Sequence, residues 1–243
     1  MNKKNWYTFI DITLCWNLTL CFILFTIIGT LSHEAGHLLI AKLMGFKGGR
    51  ITYGSTYTGH TSATDSLDYY YKKFRHELKN KVIFPEKTDM NHLEKKMIHI
   101  RCYFQWGGPL QTMLTGTLGL LILFLINRKK RDLQLDLSNS DWLWVFIALF
   151  WLRQVANCFM MFMLLIFKGV YGRGDETRLS KYYDLPPWTL NVVTGAVGAF
   201  VLHYVIFKFI PPHQRFTFVV AGLVGGVSGY ILWLHMLGPI VLP

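Results

Sequence analysis

Long stretches without a charged side chain constrain this chain more than any other feature. Four stretches contain no Asp, Glu, Lys or Arg, namely 12–32, 102–127, 188–207 and 216–242. A fifth stretch, 142–167, contains only Arg153. Each is long enough to cross the hydrocarbon core of a bilayer as an α-helix, which takes about 20 residues. Because lipid offers no partners to backbone polar groups, such spans must be helical. A water-soluble fold is therefore excluded.

The composition agrees with a membrane protein. Apolar residues make up 52% of the 243 residues and charged residues only 16%, against about 25% in soluble domains. The formal net charge is +11. Basic residues beside apolar spans are what membrane topology requires, and no nucleic-acid recognition motif accompanies them. We therefore expect the lipid bilayer, and not a nucleic acid, as a partner.

The pattern predicts an all-α, multi-pass membrane protein that forms a single domain over residues 1–243. The five expected spans lie at about 12–44, 106–126, 142–167, 188–207 and 216–240. A polar segment, 45–105, separates the first two spans. Glycines and β-forming residues at Arg50–Thr58 favour a hairpin within it, and a short surface helix is expected at Met90–His99.

Counting the spans assigns each connection to one face of the membrane. Side A is the face where the first span ends, and it receives 45–105, 168–187 and the C-terminus. Side B receives the N-terminus, 127–141 and 208–215. Lysines and arginines do not decide which side is cytoplasmic, because side A has more of them in total and side B has more per residue.

The motif that carries chemistry is His33-Glu34-Ala35-Gly36-His37, near the side A end of the first span. Residues four apart share one face of a helix, so both imidazoles can reach one metal ion. The pattern predicts one Zn²⁺ per chain, held by the two histidines, with Glu34 as the general base. The alternative is a hydrogen-bonded polar cluster, although ionisable groups in an apolar span are costly unless they function.

A third ligand is expected on side A, because hydrolytic zinc usually takes three protein ligands and leaves one position for water. Asp175, just after the third span, is the first candidate, and Glu176 is the second. Asp175 could also cap a short helix at 176–183. His235 in the fifth span is a competitor, whereas His203 lies deeper towards side B and is disfavoured.

Four further residues are candidates for contact with a substrate. Arg153 and Asn157 are four apart in the third span, so they share a helical face. Each could stabilise an oxyanion or hold substrate backbone, and each could instead form a structural pairing. Gly108 and Pro109 open the second span on side A, where an ordinary helix entrance is the alternative.

These motifs together resemble the site-2 protease family of intramembrane zinc metalloproteases. The resemblance rests on the H-E-x-G-H, on the β-prone segment after it, and on Gly107-Gly108-Pro109-Leu110 at the next helix. It implies a catalytic core of three transmembrane helices, here about 12–187, with 188–243 as two additional helices.

The resemblance also assigns roles. It implies that His33, His37 and a later aspartate bind zinc and that Glu34 activates water. Thr112 departs from the family's G-P-x-x-N, in which that position is asparagine, and the family's Leu-Asp-Gly does not follow Asn157. The chain would therefore be a divergent member.

Members of the family cut transmembrane segments of other proteins near the cytoplasmic face. We therefore expect an endopeptidase that acts on membrane-embedded protein substrates, with side A in the cytoplasm and Arg50–Thr58 as a strand that captures extended substrate. Two alternatives stay open. One is a membrane zinc protease of the prenyl-protein type, whose third ligand is typically a glutamate. The other is a catalytically silent scaffold or metal-binding protein.

Overall fold

A computed structural model describes residues 10–126 and 137–243 of the chain. Within them, five helical segments are long and apolar enough to cross a membrane: Ile12–Leu43, Lys87–Ile126, Asn139–Lys168, Thr189–Lys208 and Pro212–Val241. The predicted fold class, an all-α multi-pass protein with a small hairpin after the first span, is confirmed. Residues 1–9 and 127–136, which include most of what was predicted on side B, lie outside the described residues.

The elements follow one another in a simple order. They are α1 (Ile12–Leu43), β1 (Arg50–Ile51), β2 (Thr56–Tyr57), α2 (Ser62–Lys73), α3 (Arg75–Lys79), α4 (Lys87–Ile126), α5 (Asn139–Ala148), α6 (Leu152–Lys168), α7 (Asp175–Tyr182), α8 (Thr189–Lys208), α9 (Pro212–Ile231) and α10 (Gly238–Val241). One turn of 3-10 helix, Leu149–Trp151, joins α5 to α6, and a π-helical turn, Leu232–Leu237, joins α9 to α10. Each of these two pairs therefore forms one span.

The first span, α1, extends well beyond the thickness of a hydrocarbon core. Asp11 begins it by accepting a hydrogen bond from the backbone N–H of Leu14 at 2.9 Å. Gly45 follows its end with a φ of +83°, a conformation that glycine adopts without strain. The 32 residues of α1 correspond to about 48 Å of helix.

The second span begins much earlier than predicted, because α4 is one continuous helix of 40 residues. The surface helix expected at Met90–His99 is part of it and runs directly into the span expected at 106–126. No proline or glycine interrupts residues 87–106, so nothing in the sequence ends a helix there.

A small apolar cluster surrounds the polar half of α4. It is formed by Ala41, Phe46, Leu67, Phe74, Phe84, Met90 and Met97. The rings of Phe74 and Phe84 stack with centroids 4.2 Å apart. The cluster packs the segment between α1 and α4 against the end of α1 and the first turns of α4.

The expected hairpin is present within Arg50–Thr58. Strands β1 and β2 pair antiparallel, with Arg50 opposite Tyr57 and Ile51 opposite Thr56. The backbone N–H of Thr52 donates to the carbonyl of Ser55 at 2.8 Å and closes the turn. β2 lies against α1, which brings Thr56 to the H-E-x-x-H motif.

A larger apolar cluster joins the opposite half of the spans. Its buried members include Leu18, Phe22, Leu123, Val145, Val201 and Phe218. Glycines of α9 let that helix approach α1 closely, since a Cβ at Gly225 would lie 2.7 Å from the Cβ of Phe22. The H-E-x-x-H motif therefore lies along α1 between two packed regions.

The crossing of α1 and α4 is closest at Gly36 and Gly107. A Cβ built on Gly107 would lie 2.6 Å from the carbonyl oxygen of Gly36, and a Cβ on Gly36 would overlap the carbonyl of Gly107. Only glycine at both positions permits this separation. The crossing brings the backbone of α4 directly beneath the two histidines of the motif.

Gly36→Ala is expected to destabilise the protein, because the added methyl group forces α1 and α4 apart. Overpacking of this kind costs about 1–3 kcal/mol in the free energy of unfolding. Thermal unfolding of the intact protein in detergent measures the effect. Gly29→Ala is the matched control on the same helix, since a Cβ there meets nothing within 4 Å. Equal unfolding temperatures for the two variants would contradict the assigned crossing.

Candidate metal centre

Three side chains that can bind a metal meet where α1, α4 and α7 converge. His33 Nε2 lies 3.0 Å from Asp175 Oδ2, His37 Nε2 lies 3.2 Å from the same oxygen, and the two Nε2 atoms are 3.3 Å apart. Within the described part of the chain, this group of His, Cys, Asp or Glu side chains could hold a metal ion. All three face one point.

A hydrogen bond fixes which nitrogen of His33 is protonated. His33 Nδ1 lies 2.9 Å from the hydroxyl oxygen of Thr112. That hydroxyl donates its own proton to the carbonyl of Gly108 at 2.7 Å, so it can only accept from the imidazole. His33 therefore carries its proton on Nδ1 and turns an unprotonated Nε2 towards Asp175.

The ring of His37 is oriented in the same way by the backbone of α4. His37 Nδ1 lies 2.7 Å from the carbonyl oxygen of Phe104. The backbone N–H of Gly108 also lies 3.3 Å from this nitrogen. The shorter contact, with the carbonyl of Phe104, determines the tautomer of His37. A carbonyl oxygen can only accept a hydrogen bond, so Nδ1 must carry the proton. His37 Nε2 is thus also free to bind a metal.

The geometry fits a divalent cation. Ligands at about 2.0–2.1 Å from tetrahedral zinc are roughly 3.3 Å apart, and the three separations here are 3.0, 3.2 and 3.3 Å. Two imidazole lone pairs and a carboxylate oxygen at these distances repel one another. A single proton can lie between only two of the three atoms, whereas a metal ion contacts all of them.

Asp175 is oriented by a neighbour on α4. The side-chain amide of Gln105 donates to Asp175 Oδ1, which leaves Oδ2 for the histidines. Burial raises the pKa of the Asp175 carboxyl, whereas a positive charge at the two Nε2 atoms, from a shared proton or a metal ion, holds that pKa below its ordinary value. The group is therefore anionic, as a metal ligand must be.

The expected helix after the third span is α7, but the capping role predicted for Asp175 is wrong. Gly174 is the N-cap and makes no side-chain cap hydrogen bond. Asp175 is the first residue of the helix, and its carboxylate reaches the histidines instead of the backbone N–H groups of its own helix. Its side chain is 20% exposed, against 1% for His33, so the centre opens towards α7.

The motif glutamate is held by the hairpin. The hydroxyl of Thr56 lies 2.8 Å from the carbonyl oxygen of Glu34 and 2.9 Å from Glu34 Oε2. Its single proton is shared between these two acceptors. β2 thereby fixes the carboxylate of a buried glutamate beside the two histidines on the same helix.

The two polar residues of the third span lie in different surroundings. Asn157 Nδ2 donates to Glu176 Oε1 at 3.2 Å, which is a structural pairing of the kind expected. Arg153 forms no ion pair with the described residues, and its Nε is buried without a hydrogen-bond partner. Its charge nevertheless acts on the carboxyl groups of Glu34, Asp175 and Glu176.

The other candidates for a third ligand lie elsewhere. Glu176 is buried against Asn157, and burial together with the charge of Asp175 raises its pKa above the ordinary value. His235 is exposed in the π-helical turn, beside the ring of Tyr230. His203 is exposed on α8 and lies against Phe207.

Gly108 and Pro109 lie inside α4 and are buried. A Cβ at Gly108 would overlap Nε2 of both His33 and His37. The backbone of α4 therefore forms the floor of the centre. The structure gives these two residues a packing role, and their predicted contact with substrate stays a prediction.

Three orienting residues were missed by sequence reasoning. Thr112 enters the sequence motifs only as a departure from a family pattern, and no motif assigns a role to Gln105 or Thr56. A signal exists for two of them, because Gln105 and Thr112 are polar residues near the start of an uncharged stretch, on either side of Gly108. Nothing in the sequence marks Thr56 among the other hydroxyl residues of the hairpin.

Comparisons of the chain with protein-family models, curated proteins and solved structures gave no match. The resemblance to site-2 proteases therefore stays a prediction drawn from the motifs.

Thr112→Val is expected to weaken metal binding by about 10–100-fold, because it removes the acceptor that fixes the His33 ring. Titration of purified protein with zinc against a chelator measures the affinity. Thr112→Ser, which keeps the hydroxyl, should restore it. Thr30→Val is the control, since the Thr30 hydroxyl bonds only the carbonyl of Thr26 on the same helix. Unchanged affinity in Thr112→Val would contradict the assigned orientation.

Proposed function

We propose that this protein is an intramembrane zinc metalloendopeptidase of the site-2 protease type, which hydrolyses peptide bonds of membrane-embedded protein substrates. The observation that carries the proposal is the convergence of His33, His37 and Asp175 on one point, with Nδ1 of both rings engaged in hydrogen bonds. Three protein ligands leave one coordination position open, as hydrolytic zinc sites do.

The residues divide the chemistry among themselves. His33, His37 and Asp175 would hold the metal, which when bound lowers the pKa of water and polarises a carbonyl oxygen. The Glu34 carboxylate would accept one proton from the attacking water on one of its oxygens and return it to the nitrogen of the leaving amine. Thr56 keeps the Glu34 carboxylate in place during both transfers.

The charge of Arg153 supports catalysis in this proposal. The carboxylates of Glu34, Asp175 and Glu176 are gathered in an apolar domain, where unbalanced charge is costly. Arg153 acts on all three, and its buried Nε has no hydrogen-bond partner among the described residues. In this proposal the guanidinium would offset negative charge that develops on a substrate oxygen.

The depth of the centre suits a membrane-embedded substrate. His37 lies seven residues before Met44, so the centre lies about 10 Å inside the end of α1. A peptide bond in a transmembrane helix is hydrogen-bonded and shielded, so the substrate must unwind before it is cut. The exposed side of Asp175 and the nearby hairpin provide the approach for an extended chain.

Asp175→Asn is expected to lose bound zinc, since a neutral amide replaces the anionic ligand. Metal analysis of detergent-purified protein, beside wild type, measures zinc per chain. Glu176→Gln and His235→Ala are the matched controls, and both should keep one zinc. Loss of zinc in Glu176→Gln but not in Asp175→Asn would contradict the ligand set and favour the prenyl-protein type of protease. The Asn157 hydrogen bond to Glu176 argues against that alternative.

Glu34→Gln should keep zinc and lose hydrolysis by about 100-fold or more, because the amide cannot accept a proton. The measurement is cleavage of a panel of single-span membrane proteins that are reconstituted with the protein in proteoliposomes. Glu77→Gln, which changes a half-buried carboxylate on α3 away from the metal centre, serves as the control and should cleave normally.

Wild-type cleavage by Glu34→Gln would rule out the general-base assignment. Stoichiometric zinc in wild type without cleavage of any substrate would instead favour a metal-binding scaffold.

A further inference from the structure

A second site lies between α4 and α7, beside the metal centre. It is a cleft of about 240 Å³ with an apolar wall formed by Ile98, Cys102 and Leu179. Two guanidinium groups, those of Arg101 and Arg178, also line it. No aspartate or glutamate is among the residues that form the cleft.

Neither arginine forms an ion pair with a carboxylate within residues 10–126 and 137–243. The ion pairs of the described residues involve only His33, His37, His60 and Lys73 as cationic members. Arg178 Nη1 makes one weak contact, 3.5 Å from Gln105 Oε1. Both side chains are exposed and line the same cleft, so an anion bound there would contact both guanidinium groups.

The cleft lies where the uncharged stretch of α4 begins. Arg101 is the last charged residue before the uncharged stretch 102–127. It precedes Gly108, the floor of the metal centre, by seven residues, which is about 10 Å along α4. The end of α1 lies at the same distance above the centre. In a bilayer, the headgroup region begins where the charged residues of a helix give way to its uncharged span.

We propose that this cleft binds the phosphate headgroup of an anionic membrane lipid. The planar donors of Arg101 and Arg178 match phosphate oxygens, and the Tyr182 side chain also lines the cleft. The apolar wall suits the glycerol and the first methylene groups of the lipid. A basic pocket between helices at the membrane interface is a typical headgroup site, whereas an acidic peptide would gain nothing from the apolar wall.

One side chain connects the cleft to the metal centre. Gln105 accepts from Arg178 through Oε1 and donates to Asp175 through Nε2. A headgroup that orders Arg178 therefore also orders the residue that holds Asp175. Lipid binding itself does not depend on the proposed proteolysis, so the two proposals can fail separately.

Native mass spectrometry of the full chain in detergent, titrated with phosphatidylglycerol and with phosphatidylcholine, tests the proposal. Wild type should bind phosphatidylglycerol more tightly than phosphatidylcholine. The double variant Arg101→Gln/Arg178→Gln should bind phosphatidylglycerol about tenfold more weakly. Lys95→Gln/Lys96→Gln removes the same charge from exposed positions of the same helix and should bind like wild type.

Three results would overturn the proposal. They are equal affinity of wild type for the two lipids, unchanged binding in the arginine double variant, and an equal loss in the lysine control, which would indicate unspecific attraction. Binding of an acidic decapeptide but not of phosphatidylglycerol would assign the cleft to protein instead. If the double variant does not fold, Arg101→Lys/Arg178→Lys keeps the charge, loses the planar fork and should bind with intermediate affinity.

Discussion

Polar groups in an apolar bundle must find partners inside the protein, and this requirement organises the molecule around His33 and His37. Lipid cannot satisfy an imidazole or a carboxylate. Each ring is therefore held through Nδ1 by α4, through the Thr112 hydroxyl on one side and the Phe104 carbonyl on the other. The Nε2 atoms are left facing Asp175. A cation at that point would satisfy all three groups at once.

This arrangement depends on how closely two helices approach. Gly36 and Gly107 let α1 and α4 touch through their backbones, and Gly108 leaves room for both imidazoles. The polar half of α4 and the hairpin then complete the surroundings, since Gln105 holds Asp175 and Thr56 holds Glu34. The hydrogen bonds that orient the site thus come from elements that pack against α1, and each would be lost if the crossing opened.

Much of the fold could be predicted from the sequence, because the bilayer restricts the choices so strongly. The uncharged stretches predict five spans, and the glycine-rich segment after α1 predicts the hairpin. The start of a helix could not be predicted where no proline or glycine marks it. The helix α4, for example, includes the polar residues that precede the second span. The capping role of Asp175 was also wrong, because local sequence shows a helix start but not the distant histidines that compete for the carboxylate.

The amino-acid sequence alone predicts five helices that are long and apolar enough to cross a membrane, and it places two histidines and a glutamate at one end of the first helix. Periodicity and hydropathy are local properties, so they suffice for both conclusions. Helix packing is needed to show which acidic residue joins the histidines, which hydrogen-bonding groups fix their tautomers, and where two arginines share a cleft. These depend on contacts between residues up to 142 positions apart, and such contacts are set by helix packing, which no local pattern records.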